Sequence, residues 1–195
     1  MTTRERLAGL ISNVLNPFVV STGVIILLAL ESAAGTADAL KWVAISLVLS
    51  VLPVFSVVFY LVRRKKLDGI FISQRQQRTR LYLLAGALAV FGCLVLYYLA
   101  APELLQATFT AGLASIAVFA VINLYWKISL HTSFMAGAAS IITIVYGFPG
   151  ALTILLLLPV AWARTQMKLH SLAQVVVAAV LAAAIVTAVF RGFGL

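Results

Sequence analysis

The chain has 195 residues, of which 64% are hydrophobic and 10% are charged, and its formal net charge at pH 7 is +9. A soluble domain of this length could not bury so much apolar surface, so the composition excludes a soluble globular protein and predicts a membrane protein. The positive charges lie between apolar runs rather than along an aromatic, solvent-facing surface, which argues against nucleic-acid binding. With no polar stretch large enough for a soluble domain, residues 1–195 are predicted to form a single integral membrane domain.

Apolar segments recur along the whole chain. A helix needs about 20 mostly apolar residues to cross a bilayer. Seven segments are predicted to be spans: Val14–Leu30, Trp42–Val62, Leu81–Ala100, Leu105–Trp126, Thr132–Phe148, Ala151–Ala163 and Leu172–Phe190. A tight turn is predicted at Phe148-Pro149-Gly150, and a short interfacial helix over Met1–Asn13. The predicted fold class is therefore all-α, a polytopic membrane helical bundle of about six to seven transmembrane helices.

The loops between these spans differ strongly in charge. One face is predicted to hold the N-terminus, the loop Arg63–Arg80 and the links Lys127–His131 and Arg164–Ser171. The other is predicted to hold Glu31–Lys41, Ala101–Glu103, the Phe-Pro-Gly turn and the C-terminus. The first face carries twelve of the fourteen Lys and Arg residues. The positive-inside rule places that face in the cytoplasm, and we expect a multi-pass protein of a prokaryotic plasma membrane.

Three polar clusters fall on the predicted cytoplasmic face: Arg63–Arg80, Lys127–Thr132, and Arg164–His170 with Gln174 four residues later. No carboxylate lies near either histidine in sequence, which argues against a bound metal. The excess of Lys and Arg is typical of a cradle for a phosphoryl group. Imidazole titrates near neutral pH, so two histidines could supply a nucleophile and a general acid. We therefore expect phosphoryl transfer without a metal or other cofactor.

The spacing of these residues resembles the three-part signature of the type 2 phosphatidic acid phosphatase superfamily. That signature is Lys-x6-Arg-Pro, then Pro-Ser-Gly-His, then Ser-Arg-x5-His-x3-Asp. In this chain Ser129-Leu130-His131 matches the second part, and Arg164 with His170 matches the third. Arg78 is the best candidate for the first part. The resemblance extends roughly from Arg63 to the end of the last span.

The chain departs from this signature at several positions, as a divergent branch would. Thr79, Ile128, Leu130, Ala163 and Gln174 stand where the family has Pro, Pro, Gly, Ser and Asp, respectively. Phe71 occupies the position of the family's lysine. Lys66 or Lys65 would have to act from further back along the loop.

The resemblance implies a role for each matching residue. His170 would attack phosphorus and form a phosphohistidine, and His131 would protonate the leaving group. The non-bridging oxygens would be held by Arg78, Arg164, Ser129 and Lys66. Gln174, one helical turn beyond His170, would accept the Nδ1 proton of His170 through its carbonyl. Because this amide is neutral where the family has a carboxylate, the resemblance implies a slower enzyme, or one suited to a better leaving group.

The resulting hypothesis is a membrane-embedded, metal-independent phosphatase acting on a lipid phosphate or a polyprenyl diphosphate. Its expected partners are that substrate and the surrounding membrane lipids. Two alternatives stay open: a lipid phosphotransferase that uses an alcohol in place of water, and a non-catalytic lipid-binding homologue. A small transporter is disfavoured because no internal repeat is evident and the polar clusters avoid the midplane. The sequence gives no oligomeric state.

Overall fold

The structure is a computed structural model that describes residues 2–67 and 75–195. It is 85% helical, without strands in the described residues, so the predicted all-α polytopic membrane fold is confirmed. Within those residues six helical segments are long and apolar enough to cross a membrane, and Leu130–Tyr146 is a shorter apolar helix. The α-helices are α1 Thr3–Val14, α2 Pro17–Ser32, α3 Thr36–Leu49, α4 Val51–Arg63, α5 Arg75–Tyr98, α6 Glu103–Tyr125, α7 Leu130–Tyr146, α8 Phe148–Ala151, α9 Leu157–Gln166 and α10 Leu172–Gly192. Residues 68–74 of the predicted Arg63–Arg80 loop lie outside the described part.

Helix α3 begins earlier than the sequence pattern indicated. The predicted loop Glu31–Lys41 is wrong at Glu31 and Ser32, which end α2, and again from Thr36 onwards, because α3 starts there. Asp38 lies in its first turn, where the helix dipole favours a negative charge, and forms an ion pair with Lys41 at 2.5 Å. Such an i, i+3 pair on a helix surface stabilises polar residues that hydropathy alone assigns to a loop.

The predicted span Trp42–Val62 is interrupted at Ser50, which separates α3 from α4 and has φ −127° and ψ −74°. Pro53 follows in the first turn of α4. A proline ring has no N–H to donate and clashes with the carbonyl four residues earlier, so a regular helix cannot continue through this point. The Ser50 hydroxyl donates to the Ser46 carbonyl at 2.6 Å.

The chain reverses after α7 at Gly147 rather than at the predicted Phe-Pro-Gly turn. Gly147 has φ +63°, a left-handed conformation that suits glycine. Phe148, Pro149 and Gly150 instead form most of α8, where proline fits the first turn of a helix. A Cβ atom on Gly150 would collide with the Ile142 carbonyl of α7. Glycine is therefore required where α8 lies directly against the α7 backbone. The 3₁₀ segment Leu152–Leu156 then leads into α9.

The chain divides into two compact units. The first unit comprises Met1–Val24 and Lys127–Leu195, and the second comprises Ile25–Trp126. The division falls within α2. The single domain over residues 1–195 stays a prediction.

In the first unit, α7 packs along α10, and α9 packs against α1, α7 and α10. The buried stripe of α10 recurs every three or four residues: Val175, Ala178, Ala182, Val186 and Phe190. Gly137 of α7 faces this stripe, where an added Cβ would lie 3.6 Å from Val186 Cγ2. Small residues of this kind let two helix backbones approach closely in a membrane.

In the second unit, α5 packs along α6, and α3 contacts α4 and α5. Gly92 of α5 meets the ring of Phe109, because a Cβ added there would lie 2.9 Å from the ring. At one end of this helix pair, Asn123 Nδ2 donates to Thr79 Oγ1 at 3.4 Å.

Candidate functional site

The residues predicted to form the site divide between the two units. Five belong to the first unit: Ser129, His131, Arg164, His170 and Gln174. The other two, Arg78 and Lys66, belong to the second. In the first unit the two histidines, Ser129 and Arg164 are all buried, with exposed fractions between 0% and 7%. Burying a polar side chain in an apolar helix bundle costs free energy, so such side chains are often functional.

The turn between α9 and α10 determines where His170 lies. After α9 ends, Lys168 adopts the left-handed conformation with φ 53°. The Lys168 N–H donates to the Thr165 carbonyl at 2.9 Å, and the Leu169 N–H donates to the Arg164 carbonyl at 3.2 Å. This pair of hydrogen bonds is a Schellman motif, which normally places glycine at the left-handed position. The Arg164 carbonyl also accepts from the His170 N–H at 3.3 Å, so the turn folds back onto Arg164.

His170 is followed directly by the capping box that starts α10. The Ser171 hydroxyl accepts from the Gln174 N–H at 3.3 Å, and Gln174 Oε1 accepts from the Ser171 N–H at 3.2 Å. The same Oε1 atom lies 3.1 Å from His170 Nδ1, which is the contact expected from the sequence. Because the atom facing the Ser171 N–H must be the amide oxygen, His170 Nδ1 must carry the hydrogen. In neutral His170 the lone pair is then on Nε2, as a nucleophile requires.

The start of α7 holds the second predicted element. Ser129 is the N-cap and is fully buried, and its hydroxyl lies 2.9 Å from Thr132 Oγ1. Its carbonyl accepts from both the backbone N–H and the hydroxyl of Ser133, each at 3.0 Å. These bonds fix the first turn, in which His131 is the second residue and is 4% exposed. The N–H groups of a first helical turn also attract anions.

One hydrogen bond joins these two elements. Lys127 Nζ donates to the Leu169 carbonyl at 2.9 Å. Leu169 directly precedes His170 in the sequence, and Lys127 is two residues before Ser129. The bond therefore holds the segment leading to His131 against the turn that carries His170. Lys127 belongs to the polar cluster Lys127–Thr132 but not to the predicted site residues, since the signature that the chain resembles has no lysine at that position.

Arg164 forms a hydrogen bond with a residue that the sequence did not predict to be near it. Its Nη1 donates to Ser12 Oγ of α1 at 2.6 Å, and the exposed fractions of Arg164 and Ser12 are both 2%. Ser12 and Arg164 are 152 positions apart in the sequence. The available signal was the spacing of small residues Ala8 and Ser12 along one face of α1, both of which are buried.

The first unit carries a clear excess of positive charge. Its only carboxylate side chain in the sequence is Glu5. Glu5 accepts from the Thr2 N–H at 2.8 Å in the capping box of α1. The unit also contains six cationic side chains: Arg4, Arg6, Lys127, Arg164, Lys168 and Arg191. In the described part of the chain no three His, Cys, Asp or Glu residues are grouped as metal ligands. An anionic ligand fits this unit better than a cationic one.

The remaining two predicted residues lie in the second unit in different settings. Arg78 of α5 is 6% exposed, whereas Lys66, just beyond α4, is exposed. Lys66 follows Lys65, which has φ 55° in a second Schellman turn, where the Lys66 N–H donates to the Leu61 carbonyl at 2.9 Å. An open cleft of about 130 Å³ between α5 and α6 is lined by Gln76, Thr79, Asn123 and Leu124.

The geometry thus joins the second and third predicted elements and adds Lys127 and Ser12 to them. The first element, Arg78 with Lys66, belongs to the second unit, and its role stays a prediction. The catalytic roles of the two histidines also stay predictions. No family model, no curated protein and no solved structure matches the chain.

Proposed function

We propose that this protein is a metal-independent phosphatase that acts on a lipid phosphate or a polyprenyl diphosphate through a phosphohistidine. The observation that carries the proposal is the hydrogen bond from Lys127 Nζ to the Leu169 carbonyl at 2.9 Å. This bond joins the two short segments that hold the buried histidines His131 and His170, which are 39 positions apart in the sequence. The burial of Arg164 beside the same turn supports an anionic ligand.

The reaction has two steps. Nε2 of His170 attacks phosphorus, the bond from phosphorus to the leaving oxygen breaks, and His131 protonates that oxygen. Water then attacks the phosphohistidine while His131 takes its proton, and the bond from Nε2 to phosphorus breaks to release inorganic phosphate. Gln174 orients His170 through its contact with Nδ1 at 3.1 Å. The two histidines thereby act as nucleophile and as general acid and base.

The phosphate is held by cationic and neutral donors. The Arg164 guanidinium supplies planar, charge-assisted hydrogen bonds suited to phosphate oxygens. Lys127 adds an ammonium group next to the His170 turn, and the first turn of α7 after Ser129 adds backbone N–H groups. Arg78 and Lys66, which belong to the second unit, stay candidate phosphate ligands from the sequence alone.

The apolar helices suit a substrate that remains in the membrane during the reaction. A lipid phosphate keeps its acyl or isoprenyl tail in the bilayer and presents its phosphate at headgroup level. The loop charges favour the cytoplasmic face for the site. A cysteine introduced at Asn13, which is exposed and next to Ser12, would report this sidedness by its labelling in intact cells.

The test is phosphate release by the purified full-length protein in detergent with EDTA present. The panel contains phosphatidate, lysophosphatidate, phosphatidylglycerol phosphate and prenyl diphosphates of increasing length. His170→Ala should abolish release, and radiolabelled substrate should leave an acid-labile phosphate on the wild-type protein but not on this variant. Activity that persists in a folded His170→Ala protein would refute the mechanism.

Two further outcomes would replace the proposal. Product formed only when an acceptor alcohol is added would identify a lipid phosphotransferase. Saturable binding of a lipid phosphate by a folded wild-type protein with no turnover would identify a lipid-binding protein.

A further inference from the structure

The N-terminal helix makes direct contact with a residue of the proposed site. Arg164 Nη1 donates to Ser12 Oγ at 2.6 Å. Both side chains are 2% exposed, so this hydrogen bond is shielded from water. A charge-assisted hydrogen bond in a low-dielectric environment is stronger and better defined in geometry than one at the surface.

Helix α1 is fixed at both ends by side-chain caps. At its start, the Glu5 N–H donates to the Thr2 hydroxyl at 3.2 Å and the Thr2 N–H donates to Glu5 at 2.8 Å. At its end, Asn16 Nδ2 donates to the Asn13 carbonyl in the last turn of α1 at 2.5 Å, while Asn16 Oδ1 accepts from the N–H groups of Phe18 and Val19 and starts α2. These caps limit fraying of α1, so the Ser12 hydroxyl has a defined position.

The faces of α1 are clearly differentiated. Ala8 and Ser12, four residues apart, are buried, and α9 is the helix against which α1 packs. Leu7, Leu10 and Val14 are about half exposed, with exposed fractions of 49%, 60% and 55%. The polar Ser12 therefore lies within the buried stripe of the helix, where a serine is costly unless its hydroxyl is used.

We propose that Ser12 is a positioning residue, which holds the Arg164 guanidinium in the orientation that binds the substrate phosphate. This inference rests on the proposed phosphatase function. A guanidinium is planar and donates in fixed directions, so a contact at Nη1 restricts how the plane turns about its long side chain. Fixing a donor before the substrate arrives lowers the entropy lost on binding and keeps the donor aimed at the developing charge.

The first experiment compares three variants of the full-length protein with wild type. Ser12→Ala should raise KM for the lipid phosphate about 10-fold or more, as expected for the loss of a hydrogen bond to a charged group. Ser12→Thr, which keeps the hydroxyl, should restore most of the affinity. Asn13→Ala removes the neighbouring exposed polar side chain and should leave KM unchanged. If Ser12→Ala does not fold, Ser12→Cys of nearly equal size replaces it, since a thiol is a weak acceptor.

A double-mutant cycle separates positioning from general stability. If Ser12 acts through Arg164, Ser12→Ala should change KM less than about 2-fold in an Arg164→Lys background, because coupled residues are non-additive. Equal fold-changes in both backgrounds would show that Ser12 contributes only to packing and would overturn the inference.

Binding of inorganic phosphate distinguishes failure of this inference from failure of the proposed function. We expect phosphate to raise the Tm of wild type, and to do so at about 10-fold higher concentration in Ser12→Ala. Weakened phosphate binding in Ser12→Ala with no lipid turnover by wild type would keep the positioning role and refute the phosphatase. Equal phosphate Kd and KM values in both proteins, with turnover intact, would refute the positioning role alone. A wild-type protein that neither binds nor hydrolyses phosphate would overturn both.

Discussion

Replacing Gln174 with glutamate changes the charge of the group that contacts the proposed nucleophile. Gln174 Oε1 lies 3.1 Å from His170 Nδ1 and also accepts from the Ser171 N–H at 3.2 Å. Glutamate has the same length and is the preferred partner of a serine N-cap in a capping box. The substitution should therefore preserve the start of α10 while it converts a neutral acceptor into a carboxylate.

The size of the effect follows from this contact. A neutral hydrogen bond contributes about 0.5–1.5 kcal/mol, and one to a charged group about 1.5–3 kcal/mol. The imidazole of His170 gains positive charge only as Nε2 attacks, so the difference of about 1–2 kcal/mol acts mainly on the transition state. Gln174 is half-buried, and solvent screening places the gain near the lower end. We expect kcat for Gln174→Glu to rise about 5- to 10-fold, since about 1.4 kcal/mol corresponds to a factor of ten.

The pH dependence should change in a defined direction. A carboxylate beside His170 favours the protonated imidazole, whereas the nucleophile must be neutral. The acidic limb of the kcat/KM profile should therefore move to higher pH in Gln174→Glu. The rate gain should be largest on the alkaline side of that limb.

The assay is EDTA-resistant phosphate release across a pH series, with Tm measured on the same preparations. Gln174→Leu is the matched control, because it removes both oxygen contacts while it keeps a similar volume. It should lower kcat about 10-fold and destabilise the start of α10 by about 1 kcal/mol. If Gln174→Glu and Gln174→Leu both turn over at the wild-type rate, Gln174 serves only as a helix cap and the orientation argument is wrong.

Three further features are tested by substitution, the last of them with a matched control. Lys127→Met removes the donor to the Leu169 carbonyl and should raise KM about 10-fold, whereas an unchanged KM would refute its place in the phosphate cradle. Lys168→Gly removes an exposed cation from the same turn and relieves a left-handed residue; the Tm should rise by about 2–4 °C with KM unchanged, and a lower Tm would contradict the strain argument. Gly150→Ala should destabilise the protein by about 3 kcal/mol or more because its Cβ meets the α7 backbone, while Gly112→Ala, with open space around it, should not lower the Tm. Equal Tm values for these two variants would refute the close contact of α8 with α7.

Hydropathy located the helices because each span is a local property of about 20 residues. Each of the seven predicted spans corresponds to a helical segment in the structure, and α1 covers most of the short helix expected over Met1–Asn13. The errors occurred where local signals compete. Thr36–Lys41 contains two charged residues yet is helical, and the pair of Asp38 and Lys41 adds a small stabilisation to this first part of α3. The reversal is at Gly147 because glycine there takes positive φ, which composition could not separate from the adjacent Phe-Pro-Gly sequence.

For the candidate site, the sequence by itself determined what depends on short spacing along the chain. His170 and Gln174 are four residues apart, but His170 precedes α10, so their contact comes from the capping box of Ser171 and Gln174, which turns Gln174 Oε1 back towards His170 Nδ1. Only the tertiary structure decided which distant residues meet them. The hydrogen bond between Arg164 and Ser12 joins residues that are 152 positions apart, and the one between Lys127 and Leu169 joins residues that are 42 positions apart. Such contacts depend on how α1, α7, α9 and α10 pack, and helix packing is set by side-chain shape and burial across the whole unit rather than by any local pattern.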